Sequence, residues 1–256
     1  MSTAVVMVTV SERVEALNRF LRSLAQHEPG RQVLLHMQGD NRLDEIEWPS
    51  ASMSAFTMHS PERMGCHAAR VRLLQDAPVF DNYVNVDDDV VLTEHTHWQP
   101  AIEKAREPGV GFVLTNWVKA ESMLPKAVKI MADEFLPQVF VYQGGGMAYT
   151  EEVARLMRQL SPVPARYDDI WPLTTYLNGY RNYRYRGSLA IHKIMGRGGM
   201  QAYMRAEPRP LLCWDWVDYK LIVGAKVGSD YHIPVDKDLR PAARAQHAAA
   251  RAERGW

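Results

Sequence analysis

Apolar residues along this chain follow two alternating rhythms. Short, nearly unbroken runs read as strands buried on both faces, and between them apolar residues return every three or four positions, as on one side of a helix. Ala4 to Val10 is the first such run, and Ser11 stands as the N-cap of a helix carrying Val14, Leu17, Phe20, Leu21 and Leu24 on its apolar face. Gln32 to Met37 predicts a second strand, and Gln38-Gly-Asp-Asn41 has the residue types of a tight turn. Thr57 to Ser60 is a third candidate strand. A second helix is expected over Met64 to Ala77, with Cys66, Ala69, Leu73 and Leu74 on one side. Pro78 then leads into Asn82 to Leu92, whose Tyr83, Val84 and Val86 suit an interior strand. Further on, Trp98 to Arg106 reads as a helix closed by Glu107-Pro-Gly109, and Val110 to Trp117 as a strand. Ala120 to Pro137 is either an inserted helix or a cover over a site. Val139 to Tyr142 predicts a strand, Glu151 to Leu160 a helix with acids at its start, and Asp168 to Tyr180 a helix stopped by Asn178-Gly179.

This alternation implies an α/β fold, with a mostly parallel central sheet flanked by helices and ligands bound beyond the carboxyl ends of its strands. The 256 residues suffice for one sizeable core. A single domain over residues 1–239 is expected, with halves 1–118 and 119–239 and an Ala/Arg-rich tail over 240–256. With 46% apolar and 23% charged residues the composition is that of a globular protein, and 30 basic against 30 acidic residues exclude a generally polybasic one. Cys66 and Cys213 have neither metal-type nor disulfide-framework spacing. No run approaches the roughly 18 apolar residues of a membrane span, so a soluble, cytoplasmic protein is expected.

The predicted central strand ends in Asp87-Asp88-Asp89. Three adjacent carboxylates repel one another, and a hard divalent cation held by oxygen relieves that repulsion, with Asp87 and Asp89 as the alternating pair. A solvated acidic turn, or acids at a helix start, is the other reading of the same three residues. Asp168 and Asp169 open a helix, where acids are caps more often than catalysts. Gly144, Gly145 and Gly146 permit close approach of a flat ligand, or make a hairpin turn.

Taken in chain order, Thr9 to Arg13, Asp87 to Asp89, Gly144 to Gly146, Asp168-Asp169 and His192 resemble the GT-A glycosyltransferases, whose Asp-x-Asp motif ends a central strand. The resemblance runs from about Thr3 to Gly199 and implies a Rossmann-like GT-A fold and a hexosyl or pentosyl transferase using a nucleotide-sugar with Mn2+ or Mg2+. It implies metal ligation by Asp87, Asp89 and His192, with imidazole favouring manganese. It places Thr9, Val10, Ser11, Arg13, Asp40, Arg63, Arg70, Asp87, Asp88, the three glycines, Lys193 and Arg197 around the donor, with UDP as the expected nucleotide. Asp169, beside Asp168, matches the catalytic base of inverting members, which takes the acceptor hydroxyl's proton as that oxygen attacks C1.

Tyr180 to Arg209 interleaves Arg181, Arg184, Arg186, Lys193, Arg197, Arg205 and Arg209 with Tyr180, Tyr183, Tyr185 and Tyr203. Such a patch suits a polyanionic acceptor with exposed bases, or else is a solvated strand face. The chain is thus similar in kind to the soluble glycosyltransferases that decorate hydroxymethylated pyrimidines in bacteriophage DNA, which would place it in the host cytoplasm. A protein side chain, a glycan precursor or a small metabolite are the alternative acceptors. Two rival classes remain: nucleotidyl transfer, which lacks its usual glycine after strand one here, and a nucleic-acid-binding module without catalysis.

Overall fold

The computed structural model describes residues 1–138, 145–160 and, apart from 173 and 177, 171–192. Its first 85 residues repeat strand and helix: β1 Thr3–Val10, α1 Val14–His27, β2 Gln32–Gln38, β3 Ser54–Ser60, α2 Gly65–Asp76 and β4 Asn82–Asn85. Then come β5 Val90–Val91, α3 Gln99–Ala105, β6 Val110–Val118, α4 Leu124–Val128, β7 Phe135–Gln138, β8 Met147–Thr150, α5 Glu151–Arg158 and β9 Arg181–His192. The expected strand over 139–142 and the tail over 240–256 lie outside the described residues.

Among the described residues the strands form one sheet, ordered β3-β2-β1-β4-β8-β6-β9-β5, with β7 paired to β9. β1 to β4 are mutually parallel; β8 runs antiparallel to both β4 and β6, and β9 is parallel to β6. β6 and β9 therefore point the same way as β1, and the carboxyl ends of all six strands emerge along one edge.

Alternation along β1 shows how sequence selects the two faces. Ala4 and Val6 pack with Val71, Leu73 and Leu74 of α2, Val153, Ala154 and Met157 of α5, and Trp171. Val5 and Met7 face the opposite core, with Leu17, Phe20, Leu21 and Leu24 of α1 and Ile102 of α3. The apolar face expected for α1 is thus the face that is buried. Residues 120–137 form a short helix and a strand: α4, the inserted helix, packs Leu124, Ala127 and Val128 beside Val118, Leu189 and Ile191, while β7, not expected from the sequence, joins the sheet. No helix among the described residues is long and apolar enough to cross a membrane.

Candidate metal and nucleotide site

Because β1, β2, β4, β6 and β9 end on one edge, segments far apart in sequence converge there. β4 stops at Asn85; Val86 N still donates to the Val6 carbonyl of β1 at 3.3 Å, and the turn that follows carries Asp87, Asp88 and Asp89. Val90 and Val91 then pair antiparallel with His192 and Ile191. That two-residue strand fixes His192 against the acids across a hundred residues of chain. His192 Nε2 lies 2.9 Å from Asp89 Oδ1, and the ring meets Trp117 edge to face at 5.0 Å between centroids.

The three acids have different partners. Asp88 is buried; its Oδ2 accepts a 2.5 Å hydrogen bond from Thr9 Oγ1, and its Oδ1 lies 2.7 Å from Arg13 Nη2. The same Arg13 nitrogen is 2.8 Å from Asp89 Oδ2. Asp87 is half-buried, and its Oδ1 accepts from Arg70 Nη2 at 2.9 Å. Burial pushes the Asp88 carboxyl above the ordinary aspartate range, Arg13 notwithstanding. Burial alone would do the same to Asp89, but the hydrogen bond from His192 and the charge of Arg13 outweigh it, and its pKa is lowered. Loss of solvent would weaken the Arg13 cation, yet Asp88, Asp89 and Asp87 together raise its pKa.

One ligand atom from each of Asp87, Asp89 and His192 lies within 4.8 Å of the others. In an octahedral shell with bonds of about 2.1 Å, adjacent ligand atoms stand about 3.0 Å apart and opposite ones about 4.2 Å. The 2.9 Å between His192 Nε2 and Asp89 Oδ1 matches an adjacent pair, and the Asp87 oxygen lies within 4.8 Å of both. Two carboxylate oxygens with one imidazole nitrogen are a donor set suited to Mn2+, so the residues fit the expected cation.

The loops after β1 and β2 form the neighbouring wall. Ser11 Oγ accepts from the Asp40 backbone N–H at 3.2 Å, which sets the exposed Asp40 carboxylate beside the β1 loop. Arg63 closes on Glu12 in an ion pair. Thr9, Ser11, Arg13, Asp40, Arg63, Arg70 and the acids are therefore gathered on one edge. Val10 is buried as the last residue of β1. Gly145 and Gly146 lead into β8, the first against Asn116 and Thr115 of β6 and the second against Trp98 and Val84. Gly144, Asp168, Asp169, Lys193 and Arg197 fall outside the described residues. Sequence reasoning passed over Glu12, and it did not single out Trp117 from the other tryptophans. Only the register of β6 against β9, which sets Trp117 beside Ala190, reveals its place next to His192.

The basic and aromatic run after Tyr180 is, in its described part, an interior strand. Tyr185 stacks on Phe135 at 4.7 Å, Arg186 pairs with Glu134, and Lys104 sits over the Tyr183 ring. Arg181 is exposed.

No protein-family model and no curated protein matches the sequence. Solved structures do match. Residues 1–349 of TarS from S. aureus align over 98% of this chain and 72% of their own, with a TM-score of 0.57 and 14% identity. The mannosyltransferase PcManGT from Pyrobaculum calidifontis, in complex with GDP-Man and Mn2+, aligns over 98% and 74%, with a TM-score of 0.56 and 15% identity. GalNAc-T7 with UDP, GalNAc and Mn2+ gives a TM-score of 0.59 at 13% identity over 96% of this chain, which spans 55% of that protein. The fold is the GT-A fold.

Proposed function

We propose that this protein is a metal-dependent glycosyltransferase that moves a sugar from a nucleoside-diphosphate donor to an acceptor hydroxyl. The observation that carries this reading is the convergence of Asp87, Asp89 and His192 at the carboxyl edge of a GT-A sheet, beside the loops bearing Ser11, Asp40 and Arg63. Asp87, Asp89 and His192 would hold Mn2+ or Mg2+, which supplies positive charge against the departing diphosphate. Arg70 and Arg13 orient the Asp87 and Asp89 carboxylates for that task. Asp40 supplies an acceptor for the N–H groups of a base, and UDP is the preferred nucleotide. Two of the similar structures carry different ones, UDP and GDP-Man, which makes the base a matter for measurement.

Asp169, with Asp168 beside it, is the proposed general base of an inverting reaction: its carboxylate takes the acceptor hydroxyl's proton while that oxygen attacks C1 from the side opposite the diphosphate. A hydroxymethylated pyrimidine in DNA is the finer acceptor reading. It has to be met by Arg181 and by residues 193–209, since Arg186, Tyr183 and Tyr185 are engaged within the fold. The supporting test is a thermal-shift titration with UDP-, GDP- and ADP-sugars, with and without Mn2+, on the wild type and Asp89→Ala. Stabilisation by one nucleotide-sugar that needs the metal and vanishes in Asp89→Ala supports the transferase. Stabilisation by oligonucleotides alone would leave the chain a binding module.

A further inference from the structure

Each of the two carboxylates facing His192 has one oxygen committed to a guanidinium. Asp87 Oδ1 accepts from Arg70 Nη2 at 2.9 Å, and Asp89 Oδ2 lies 2.8 Å from Arg13 Nη2. Arg13 is itself anchored. The nitrogen that meets Asp89 also lies 2.7 Å from Asp88 Oδ1, and Asp88 is held from its other side by Thr9 at 2.5 Å. Asp88 is buried and turned to these two partners, so its role is to fix Arg13.

Building on the reading of Asp87, Asp89 and His192 as a cation site, we infer that Arg13 is a positioning residue that sets its ion specificity. It withholds Asp89 Oδ2 and so limits Asp89 to one-oxygen ligation, as Arg70 limits Asp87. A carboxylate restricted in this way suits a small six-coordinate cation, which takes one oxygen from each ligand. Ca2+ takes six to eight oxygens and commonly chelates a carboxylate through both. To do so here it would have to displace a guanidinium anchored on a buried carboxylate, and would then lie close to that displaced positive charge. Mn2+ and Mg2+ can take Asp89 Oδ1, the oxygen beside His192, with Arg13 in place on Oδ2. The same two ion pairs restrain the acids before a cation arrives, so ligation costs little reorganisation of Asp89.

The test is competition binding on chelator-stripped protein, with free Mn2+ read by electron paramagnetic resonance while Ca2+ is titrated in. Wild type is expected to hold Mn2+ against a large excess of Ca2+. Arg13→Gln removes the charge and frees Asp89 Oδ2, and should shift the Mn2+:Ca2+ preference toward Ca2+ by about tenfold or more. Arg13→Lys keeps a positive charge and a donor nitrogen, and should retain the wild-type preference to within about threefold. Asp88→Asn loosens the anchor while leaving both ligands intact, and serves if Arg13→Gln does not fold; it should shift preference the same way. Unchanged preference in the folded variants, with Mn2+ binding still lost in Asp89→Ala, overturns the role of Arg13 alone. Absence of Mn2+ binding in the wild type overturns the cation site and this inference with it.

Discussion

Gly145 offers a direct test of how the edge of the sheet is built. A methyl group on its Cα would stand 2.3 Å from the Asn116 carbonyl oxygen, 2.7 Å from Thr115 Oγ1 and 3.2 Å from the Asn116 carbonyl carbon. To reach even 3.0 Å from that oxygen, one of two backbones must retreat by about 0.7 Å, a shift close packing resists. Neither backbone is free to do so. Thr115 N donates to the Gly146 carbonyl at 2.9 Å, and the buried Trp98 indole donates to the Gly145 carbonyl at 3.0 Å. Overpacking of this kind costs about 1–3 kcal/mol, and weakening one of these buried hydrogen bonds adds about 1 kcal/mol. A total of about 2–4 kcal/mol corresponds, in a domain of this size, to a Tm lowered by about 5–15 °C. The assay is calorimetric melting of Gly145→Ala without nucleotide or metal, since the clash is internal and needs no ligand. Gly30→Ala is the control: Gly30 has φ of +79° but nothing within 4 Å of the added carbon, so only backbone strain of about 1 kcal/mol is expected. A Gly145→Ala protein melting within about 1 °C of the wild type, or no lower than Gly30→Ala, would refute the packing argument.

Gly146→Ala should be destabilised for two reasons at once, because φ is +142° and the new carbon would meet Trp98 Nε1 at 2.8 Å; the same melting series checks it. His36 is buried with Nδ1 donating to the Ala69 carbonyl at 3.0 Å and Nε2 accepting from Ser60 at 2.8 Å; burial, assisted by the charge of nearby His59, lowers its pKa below the ordinary 6.5. As pH falls below that ordinary value the unfolded chain takes up the proton first, so this group contributes a loss of stability toward acid; His36→Gln should flatten the slope of urea midpoints between pH 7.5 and 5.5, and an unchanged slope would count against it. Tyr149→Phe removes the 2.7 Å hydrogen bond to Asn85 Oδ1, where both side chains are fully buried, and should cost about 1–3 kcal/mol in urea unfolding because the amide oxygen is left without its donor.

What could be read from the sequence follows the range of the forces involved. Strand and helix faces are set by neighbours within a few positions, so the apolar stripe Val14, Leu17, Phe20, Leu21 and Leu24 was legible and is buried. Asp87 to Asp89 were legible as a cluster needing a partner because three adjacent acids at a strand end are costly unless something nearby compensates them. The compensation itself was less so. Arg13 was expected at the nucleotide, and nothing in Thr9 to Arg13 shows that one of its nitrogens would touch two carboxylates some 75 positions away. The antiparallel β8 between β4 and β6, and the pairing of Val90–Val91 with His192, are long-range registers with no local signature.

The glycines show how one residue type can be selected twice over. Open backbone near a sugar and a close crossing of two strands both demand the absence of a side chain, and a sequence cannot tell these demands apart. Gly145 and Gly146 have a sufficient reason in Asn116, Thr115, Trp98 and Val84, all parts of the protein itself. That reason also serves the site. Gly145 lets the segment entering β8 lie against Thr115 and Asn116 of β6, and Gly146 lets it lie against Trp98 and Val84 of β4; β6 carries β9 beside it, and β9 delivers His192 to Asp89. A side chain at these positions would push apart the strands that register the imidazole against the acids. Loss of cation binding in a Gly145 or Gly146 variant would therefore be a failure of register, and it would be accompanied by the lowered Tm of the ligand-free protein. A variant of Asp89 would lose the cation without that register defect.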